Sequence, residues 1–328
     1  MTAPVRFGSS SDAGSGSHDS TSGSSVSGAG GGASGGSAAG EVWTVARVLR
    51  WAAEDLSRRG VTGSARLDAE LLLGHATGLD RVRMIVDSAR PLSADELTRF
   101  RELHARRRRA EPVAYILGER EFYGMRFSVN QHVLIPRPDT EILVNVALVR
   151  TREQHLFGRA LDVCTGSGCV AISFAKERPT WQVTGSDLSE DALGVARKNA
   201  LKLGAIWNID FRPSDLFASI PNEPRFDLIT ANVPYIPDDE VPTLVPDIKN
   251  HEPHLALCGG PDGLAILRRL VKAAPGWLAP GGVLALEVGA GQAERVAKGL
   301  AAFGFADVER ERDYASIERV VSGRWPGT

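Results

Sequence analysis

Apolar positions between residue 42 and about residue 124 recur with the period of helices. In the first stretch they stand at i, i+3, i+4, i+7 and i+11: Val45, Val48, Leu49, Ala52 and Leu56. That spacing predicts one buried helix face, and Gly60 is placed to end the helix. A second stripe predicts another helix: Leu67, Leu71 and His75, widened by Leu72 and Leu73. Ser93 and Glu96 have the spacing of a capping box, which predicts that a further helix begins there.

The period changes near Phe122. Residues 125–129 and 133–135 alternate or run apolar, which predicts a short hairpin formed by these two segments. Pro136 and Pro138 follow, and their fixed backbone angles predict an extended lead into the next helix.

From about residue 159 onward, strand-like and helix-like segments alternate. Apolar runs predict strands at residues 160–163, 181–186, 226–231 and 282–288, and helical patterns cover residues 190–202 and 264–273. This order predicts a mostly parallel sheet with helices on both faces. Ligands of such sheets bind beyond the carboxyl ends of the strands, so the candidate chemistry is sought there.

Composition adds limits to this picture. The chain has 328 residues, of which 43% are hydrophobic and 24% charged, with a formal net charge of -2. That balance gives no global electrostatic reason to expect tight nucleic-acid binding. Three cysteines lack CxxC spacing and the seven histidines form no HxxxH cluster, so we expect neither a metal site nor a disulfide framework. Without a signal peptide or a run of about 18 apolar residues, the expected compartment is the cytoplasm.

Two segments are strongly biased in composition. Residues 1–40 are dominated by Gly and Ser, which predicts a disordered tail because too little apolar surface is present to offset the ordering entropy. Residues 106–109 are four consecutive arginines. They form either a cationic last turn that interacts with the helix dipole, which we favour, or a patch for RNA or a ribosome-associated partner.

A Gly-rich turn follows the first strand of the predicted sheet. Residues 162–168 read Asp-Val-Cys-Thr-Gly-Ser-Gly, in which Gly166 permits a tight turn and Gly168 lets the backbone approach a ligand. Asp187 ends the second strand about 20 residues later, where a carboxylate can accept both hydroxyls of a ribose. Ser214, Asp215 and Leu216, which precede the predicted strand at 226–231, are placed to receive and cover an adenine. The glycine spacing also fits a dinucleotide fingerprint, so the residues after the strand at 226–231 must decide.

Those residues are Asn232, Val233, Pro234 and Tyr235. An amide nitrogen is a poor nucleophile because its lone pair is delocalised. An enzyme that methylates it must hold both N–H groups with acceptors, so that the lone pair faces the methyl group. The Asn232 side-chain oxygen is one acceptor, and the carbonyl of Val233, aimed by Pro234, is the second. Tyr235 supplies an aromatic wall.

These residues resemble a known family. The segments at 162–168 and 232–235 look like the methyl-donor loop and the NPPY motif of HemK/PrmC, the peptide chain release factor glutamine methyltransferases. Further family-like segments are residues 66–72, 120–122, 134–141, 251–253, 312–314 and 318–320, and the similarity covers about residues 42 to 325.

The resemblance implies an α/β fold: a Rossmann-like seven-stranded S-adenosylmethionine-dependent methyltransferase domain after an N-terminal helical bundle. We expect a tail at 1–40, a helical substrate-docking domain at 41–119, a hairpin linker at 120–135 and the methyltransferase domain at 136–328. It further implies methylation of the glutamine in the Gly-Gly-Gln loop of class-I release factors, by a monomer without a nucleic-acid substrate. Residues 136–141 favour this enzyme over its sister, which methylates a ribosomal protein.

Site residues carry over by motif matching. The implied donor site comprises Cys164, Thr165, Gly166, Ser167, Gly168, Asp187, Asp215, Leu216 and Asn232. The implied glutamine site comprises Asn232, Val233, Pro234 and Tyr235, with Asn232 and Tyr235 as the catalytic residues.

Three positions depart from the family pattern. Cys164 stands where the family usually has Gly, Leu216 where some members have an aromatic residue, and Val233 in place of the first Pro of NPPY. Since the group required at position 233 is a carbonyl, its role is expected to survive, at a cost of about 0.4–1 kcal/mol in lost rigidity.

Other functions remain open from the residues alone. A methyltransferase acting on an exocyclic amine of RNA or DNA needs the same planar nitrogen clamp, together with a basic face. A ribosomal-protein glutamine is another substrate of the same kind. A nicotinamide dehydrogenase would leave Asn232 to Tyr235 unexplained, and a non-catalytic binding module is conceivable because of Val233.

Overall fold

The computed structural model describes residues 42–61, 65–154 and 156–327. The Gly/Ser-rich tail predicted at residues 1–40 lies outside the described residues. Among the described helices, none is long and apolar enough to cross a membrane.

Short helices make up the first part of the described chain. They are α1 (Val45–Arg58), α2 (Ala65–Thr77), α3 (Arg81–Val86), α4 (Ala94–Arg107) and α5 (Val113–Leu117). The face predicted for α1 is confirmed, since its five apolar positions are all buried. Gly60 follows the helix in the left-handed conformation, with φ 67°. The capping box is confirmed as well: the Glu96 N–H donates to Ser93 Oγ at 3.2 Å, and the Ser93 N–H donates to the Glu96 carboxylate at 2.8 Å.

The face predicted for α2 is confirmed at Leu72 and Leu73, which are buried, and is wrong at its other three positions. Leu67 and Leu71 are each 43% exposed and His75 is exposed. The buried positions are Ala65, Ala69, Leu72, Leu73 and Ala76. Small alanines and two leucines therefore form the buried face, and Leu67 and Leu71 lie on the opposite, exposed side of the helix.

The predicted hairpin has the wrong partner strand. β1 (Glu119–Phe122) pairs antiparallel with β2 (Met125–Ser128). Tyr123 and Gly124 connect them with φ of 52° and 69°, as a two-residue hairpin turn of type I′ requires. Val133 and Ile135 are buried in a cluster with Ala192 and Val195 instead of forming a strand. An apolar run can thus be buried by a helix as well as by a strand.

The predicted mostly parallel sheet is confirmed and has seven strands among the described residues. The strands are β3 (Arg159–Val163), β4 (Gln182–Asp187), β5 (Ile209–Pro213), β6 (Phe226–Ala231), β7 (Leu278–Glu287), β8 (Ala306–Arg312) and β9 (Glu318–Arg324). They lie in the order β5-β4-β3-β6-β7-β9-β8. Strands β3 to β7 pair in parallel, while β9 is antiparallel to β7 and β8. The accompanying helices are α6 (Glu141–Arg150), α7 (Cys169–Glu177), α8 (Glu190–Leu203), α9 (Pro246–Lys249), α10 (Ala265–Ala273) and α11 (Ala293–Ala302).

The arginine run at 106–109 is used largely within the fold. Arg107 is buried, and its guanidinium lies 2.7 Å from Asp68 on α2 and 2.7 Å from Asp247 on α9. Arg106 pairs with Glu111, and Arg108 pairs with Asp55. Three of the four charges therefore have acidic partners, which disfavours an open patch for nucleic acid. Arg107 also ties the helices to the segment that follows β6.

Candidate active site

A cavity of about 300 Å³ lies at the carboxyl ends of the parallel strands, where the sheet topology predicts a ligand site. It gathers most of the predicted site residues: Cys164, Thr165, Gly166, Ser167, Asp187, Asp215, Leu216, Asn232 and Pro234. Its size is at the lower end of the range usual for small-molecule pockets. Gly168, Val233 and Tyr235 do not line it.

Gly168 has a different role from the predicted close approach to a ligand. It precedes α7 with φ 79°, and a side chain there would lie 2.9 Å from Ile172 and 3.2 Å from Ala196. Its lack of a side chain is therefore required for packing α7 against α8. Gly166, at φ 55°, has open space around it, which leaves its backbone accessible from the cavity.

Asp187 joins the glycine loop to the start of α8. One carboxylate oxygen accepts the Gly166 N–H at 2.9 Å, and the other accepts the Ser189 N–H at 2.9 Å. Burial raises the pKa of this carboxyl above its ordinary value, while the backbone N–H groups oppose that shift. Asp187 lines the cavity, and each of its oxygens can accept a further hydrogen bond, as a ribose-binding carboxylate needs.

Asp162 anchors the same loop from beneath. Its two oxygens accept the hydroxyls of Thr165 and Thr230, each at 2.7 Å. Burial raises the pKa of Asp162 to about 6. Sequence reasoning quoted this residue only as part of the motif and missed its structural role.

Two residues with side chains adopt the left-handed conformation beside the cavity. Cys164 has φ 58° and Leu216 has φ 51°, a conformation that costs a residue with a side chain roughly 1–2 kcal/mol. A positive φ at position 164 favours glycine, which explains why the family that the sequence resembles usually has glycine there. Burial raises the pKa of its thiol, which is free.

Asp215 lies at the mouth of the cavity rather than deep within it. Its carboxylate is 2.7 Å from the guanidinium of Arg269, and both side chains are at least half exposed. Leu216, buried beside it, forms part of the apolar wall.

Asn232 follows the end of β6 and faces the cavity. Its side-chain N–H donates to the Thr140 hydroxyl at 3.3 Å. Thr140 is buried and ends the short 3₁₀ turn Pro138–Thr140, within the proline-rich segment identified in the sequence. Because the nitrogen of Asn232 is engaged, its oxygen is left as an acceptor.

The main chain of Pro234 and Tyr235 is enclosed on several sides. Gln292 donates to the Tyr235 carbonyl at 2.8 Å and accepts the Gly289 N–H at 3.0 Å. A side chain at Gly263 would lie 2.3 Å from the Tyr235 carbonyl, and one at Gly259 would lie 2.8 Å from that of Pro234. Sequence reasoning missed Gln292 and these glycines, although the glycine-rich run 259–263 was a visible signal.

A segment after β6 lines one part of the cavity with Pro253, Leu255 and Ala256. Glu252 secures it: the buried carboxylate accepts the Ile135 N–H at 3.2 Å and pairs with Arg137 at 2.5 Å. The two family-like segments at 134–141 and 251–253 thus meet in space.

The chain is similar in sequence to known proteins over both of its parts. A family model described as the PrmC N-terminal domain matches residues 47–118, and one described as a methyltransferase domain matches residues 160–251. The release factor glutamine methyltransferase of Geobacter sulfurreducens is 44% identical over 284 residues, covering 87% of this chain and 98% of that protein. The protein of the same name from Cereibacter sphaeroides is 42% identical over 281 residues, covering 86% and 98%. The chain belongs to the release factor glutamine methyltransferase family.

Membership of this family confirms the resemblance drawn from the motifs. Among solved structures, the hMettl16 catalytic domain in complex with MAT2A 3′UTR hairpin 6 superposes with a TM-score of 0.52 at 13% identity. It covers 68% of this chain and 81% of that one, a likeness that concerns the fold alone. Together with the sheet order, it confirms the methyltransferase fold.

Proposed function

We propose that this protein transfers a methyl group from S-adenosylmethionine to the side-chain amide nitrogen of the glutamine in the Gly-Gly-Gln motif of class-I release factors. The observation that carries the proposal is the orientation of Asn232. Its nitrogen is engaged by Thr140, so its oxygen is the acceptor beside the cavity that the glycine loop and Asp187 also line. The names of the relatives support the release factor as substrate.

The residues around the cavity fit the methyl donor. The open backbone at Gly166 and the free lone pairs of Asp187 suit its ribose and amino-acid part, and Leu216 suits the adenine ring. When bound, S-adenosylmethionine supplies an electrophilic methyl group on a positively charged sulfur.

The chain's own residues perform the remaining work by positioning. Asn232 Oδ1 accepts one N–H of the substrate amide, and the carbonyl of Val233 accepts the other. With both hydrogens held, the nitrogen lone pair points at the methyl group, and Tyr235 keeps the amide plane in place. The donor would supply the methyl group and its sulfur would be the leaving group, while the substrate nitrogen held by Asn232 and Val233 would lose one proton to solvent.

Single-turnover methyl transfer to a purified release factor, at saturating donor, tests this clamp. We expect Asn232→Ala to lower the rate by about 100-fold or more, because a reacting group displaced by about 1 Å loses that much. Val233→Pro is expected to preserve or raise the rate, since only a carbonyl is required at that position. The exposed Asn250→Ala serves as the matched control and should behave as wild type.

Substrate controls separate the alternatives. A ribosomal protein, tRNA and DNA are offered under the same conditions. Methylation of tRNA or DNA in preference to the release factor would contradict the proposal, as would normal turnover by Asn232→Ala.

We also propose that α1 to α5 dock the protein substrate. Exposed apolar side chains on α3 support this role: Val82, Ile85 and Val86 are 69%, 69% and 75% exposed. We expect Ile85→Asp to raise KM for intact release factor with kcat unchanged. Leu201→Asp, at a 66% exposed position of α8, is the control. An unchanged KM for Ile85→Asp would contradict docking on α3.

A further inference from the structure

Glu287 is a buried carboxyl at the candidate active site that the mechanism above does not use. It ends β7 and is 2% exposed. Its Oε1 lies 3.5 Å from the Tyr235 hydroxyl, and its Oε2 has no hydrogen bond of good geometry within the described part of the chain. Burying a carboxyl without full compensation costs free energy, so its presence calls for a physical reason.

The sheet register brings Glu287 beside the clamp. Ala231 on β6 is paired with Leu286 on β7, so the next residues, Asn232 and Glu287, are neighbours across the two strands. Parallel strands direct paired side chains to the same face. Thr140 lies beside both residues: its hydroxyl oxygen accepts the Asn232 N–H at 3.3 Å, and its hydroxyl is close enough to Glu287 to lower the pKa of that carboxyl.

We propose that Glu287 is a positioning residue that fixes the orientation of the Asn232 amide through the Thr140 hydroxyl. An ionised carboxylate only accepts hydrogen bonds, so it attracts the single Thr140 O–H proton. The Thr140 oxygen then receives the Asn232 N–H, and Asn232 Oδ1 is held toward the substrate amide. This inference rests on the proposed function, in which that oxygen accepts a substrate N–H.

When Glu287 is protonated, the donors and acceptors in this chain of hydrogen bonds exchange roles. A protonated carboxyl donates to Thr140, which is then free to donate to Asn232. The Asn232 oxygen would turn to Thr140, and its NH₂ group would face the substrate N–H. Two donors would then oppose each other, and the clamp would lose an acceptor.

Several charged or titratable groups face Glu287. Arg319 on β9 lowers its pKa and Asp139 in the 3₁₀ turn raises it, with Tyr235 and the buried Cys169 of α7 also nearby. Burial dominates and raises the pKa of Glu287 to about 7. The wild-type rate should therefore rise with pH around neutrality.

The kinetic test uses variants that remove or keep the hydroxyl at position 140 while leaving the size of the side chain nearly unchanged. Single-turnover rates at saturating donor and release factor are compared for wild type, Thr140→Val, Thr140→Ser and Glu287→Gln between pH 6 and about pH 8.5. We expect Thr140→Val to be at least about tenfold slower with unchanged donor affinity, and Thr140→Ser to restore the rate. Glu287→Gln should be slow and should lack the rise near pH 7. A wild-type rate for Thr140→Val, or a retained rise in Glu287→Gln, would overturn the proposal.

A second measurement needs no methyl transfer. The Asn232 side-chain N–H signals of the full chain, assigned by NMR with Asn232→Asp as the reference, are followed against pH. We expect them to titrate near pH 7 in wild type and to stay constant in Glu287→Gln. Titrating signals in a protein that does not methylate release factor would refute the proposed function and support the hydrogen-bond chain. Constant signals in an active wild type would refute the hydrogen-bond chain alone.

Discussion

Replacing Asp187 with alanine tests whether the cavity binds the methyl donor as proposed. In the structure Asp187 lines the cavity, and each carboxylate oxygen accepts one backbone N–H at 2.9 Å and can accept another hydrogen bond. Alanine removes both acceptors for the ribose hydroxyls and also frees Gly166 and Ser189. We therefore expect a large loss of affinity for S-adenosylmethionine.

The magnitude follows from the kind of bond that is lost. A hydrogen bond to a charged group contributes roughly 1.5–3 kcal/mol. Water replaces part of that in the variant, so the lower bound for two lost bonds is about 1 kcal/mol. Since about 1.4 kcal/mol corresponds to tenfold in Kd, at least fivefold weaker binding is expected. Asp187→Asn, which keeps one oxygen acceptor, should lie between wild type and Asp187→Ala.

Calorimetric titration with S-adenosylmethionine measures this directly. Asp227→Ala is the matched control, because that carboxylate also accepts a backbone N–H, from Arg159 at 2.8 Å, but lies near the start of β6. It should leave Kd unchanged. If Asp187→Ala were folded and bound the donor as wild type does, or if Asp227→Ala weakened binding equally, Asp187 would not belong to the donor site.

Three further predictions concern strain, packing and pH. In urea unfolding, Cys164→Gly should be at least about 1 kcal/mol less destabilising than Cys258→Gly. The reason is that Cys164 has φ 58°, a conformation in which a side chain is strained. Equal losses of unfolding free energy in the two variants would disprove this. Gly263→Ala should lower turnover at least about tenfold through displacement of the Tyr235 carbonyl, 2.3 Å from the added carbon, whereas Gly281→Ala, at φ 80° in open space, should not. Burial raises the pKa of Glu287 to about 7 from 4.5, so its stabilisation of the fold is complete below about pH 4.5 and is lost as the pH rises through 7. The free energy of unfolding of wild type relative to Glu287→Gln should fall by about 3 kcal/mol over that range, and a constant difference in urea unfolding at pH 4.5 and pH 8 would contradict it.

Patterns in the sequence correctly predicted a helix face, a cap and a strand that depend on residues close together along the chain. The buried face of α1 and the capping box at Ser93 follow from side chains three or four residues apart, which meet on any helix. The strand ending at Ala231 was predicted with its observed bounds, and the glycine loop and Asp187 were predicted at the sheet edge where they lie. For α2 the same reasoning was right for Leu72 and Leu73 but wrong for Leu67, Leu71 and His75, because the buried face continues through alanines rather than through those residues.

Only the tertiary structure decided the groups that complete the site. Asn232 meets Thr140 across 92 positions of sequence, and Tyr235 meets Gln292 across 57. No periodicity connects residues so far apart; the order and register of the strands bring them together. The sequence by itself determined the motif that presents an amide acceptor after β6. The register of β6 against β7 determined that a buried carboxylate stands beside it, because pairing between strands is a property of the folded sheet.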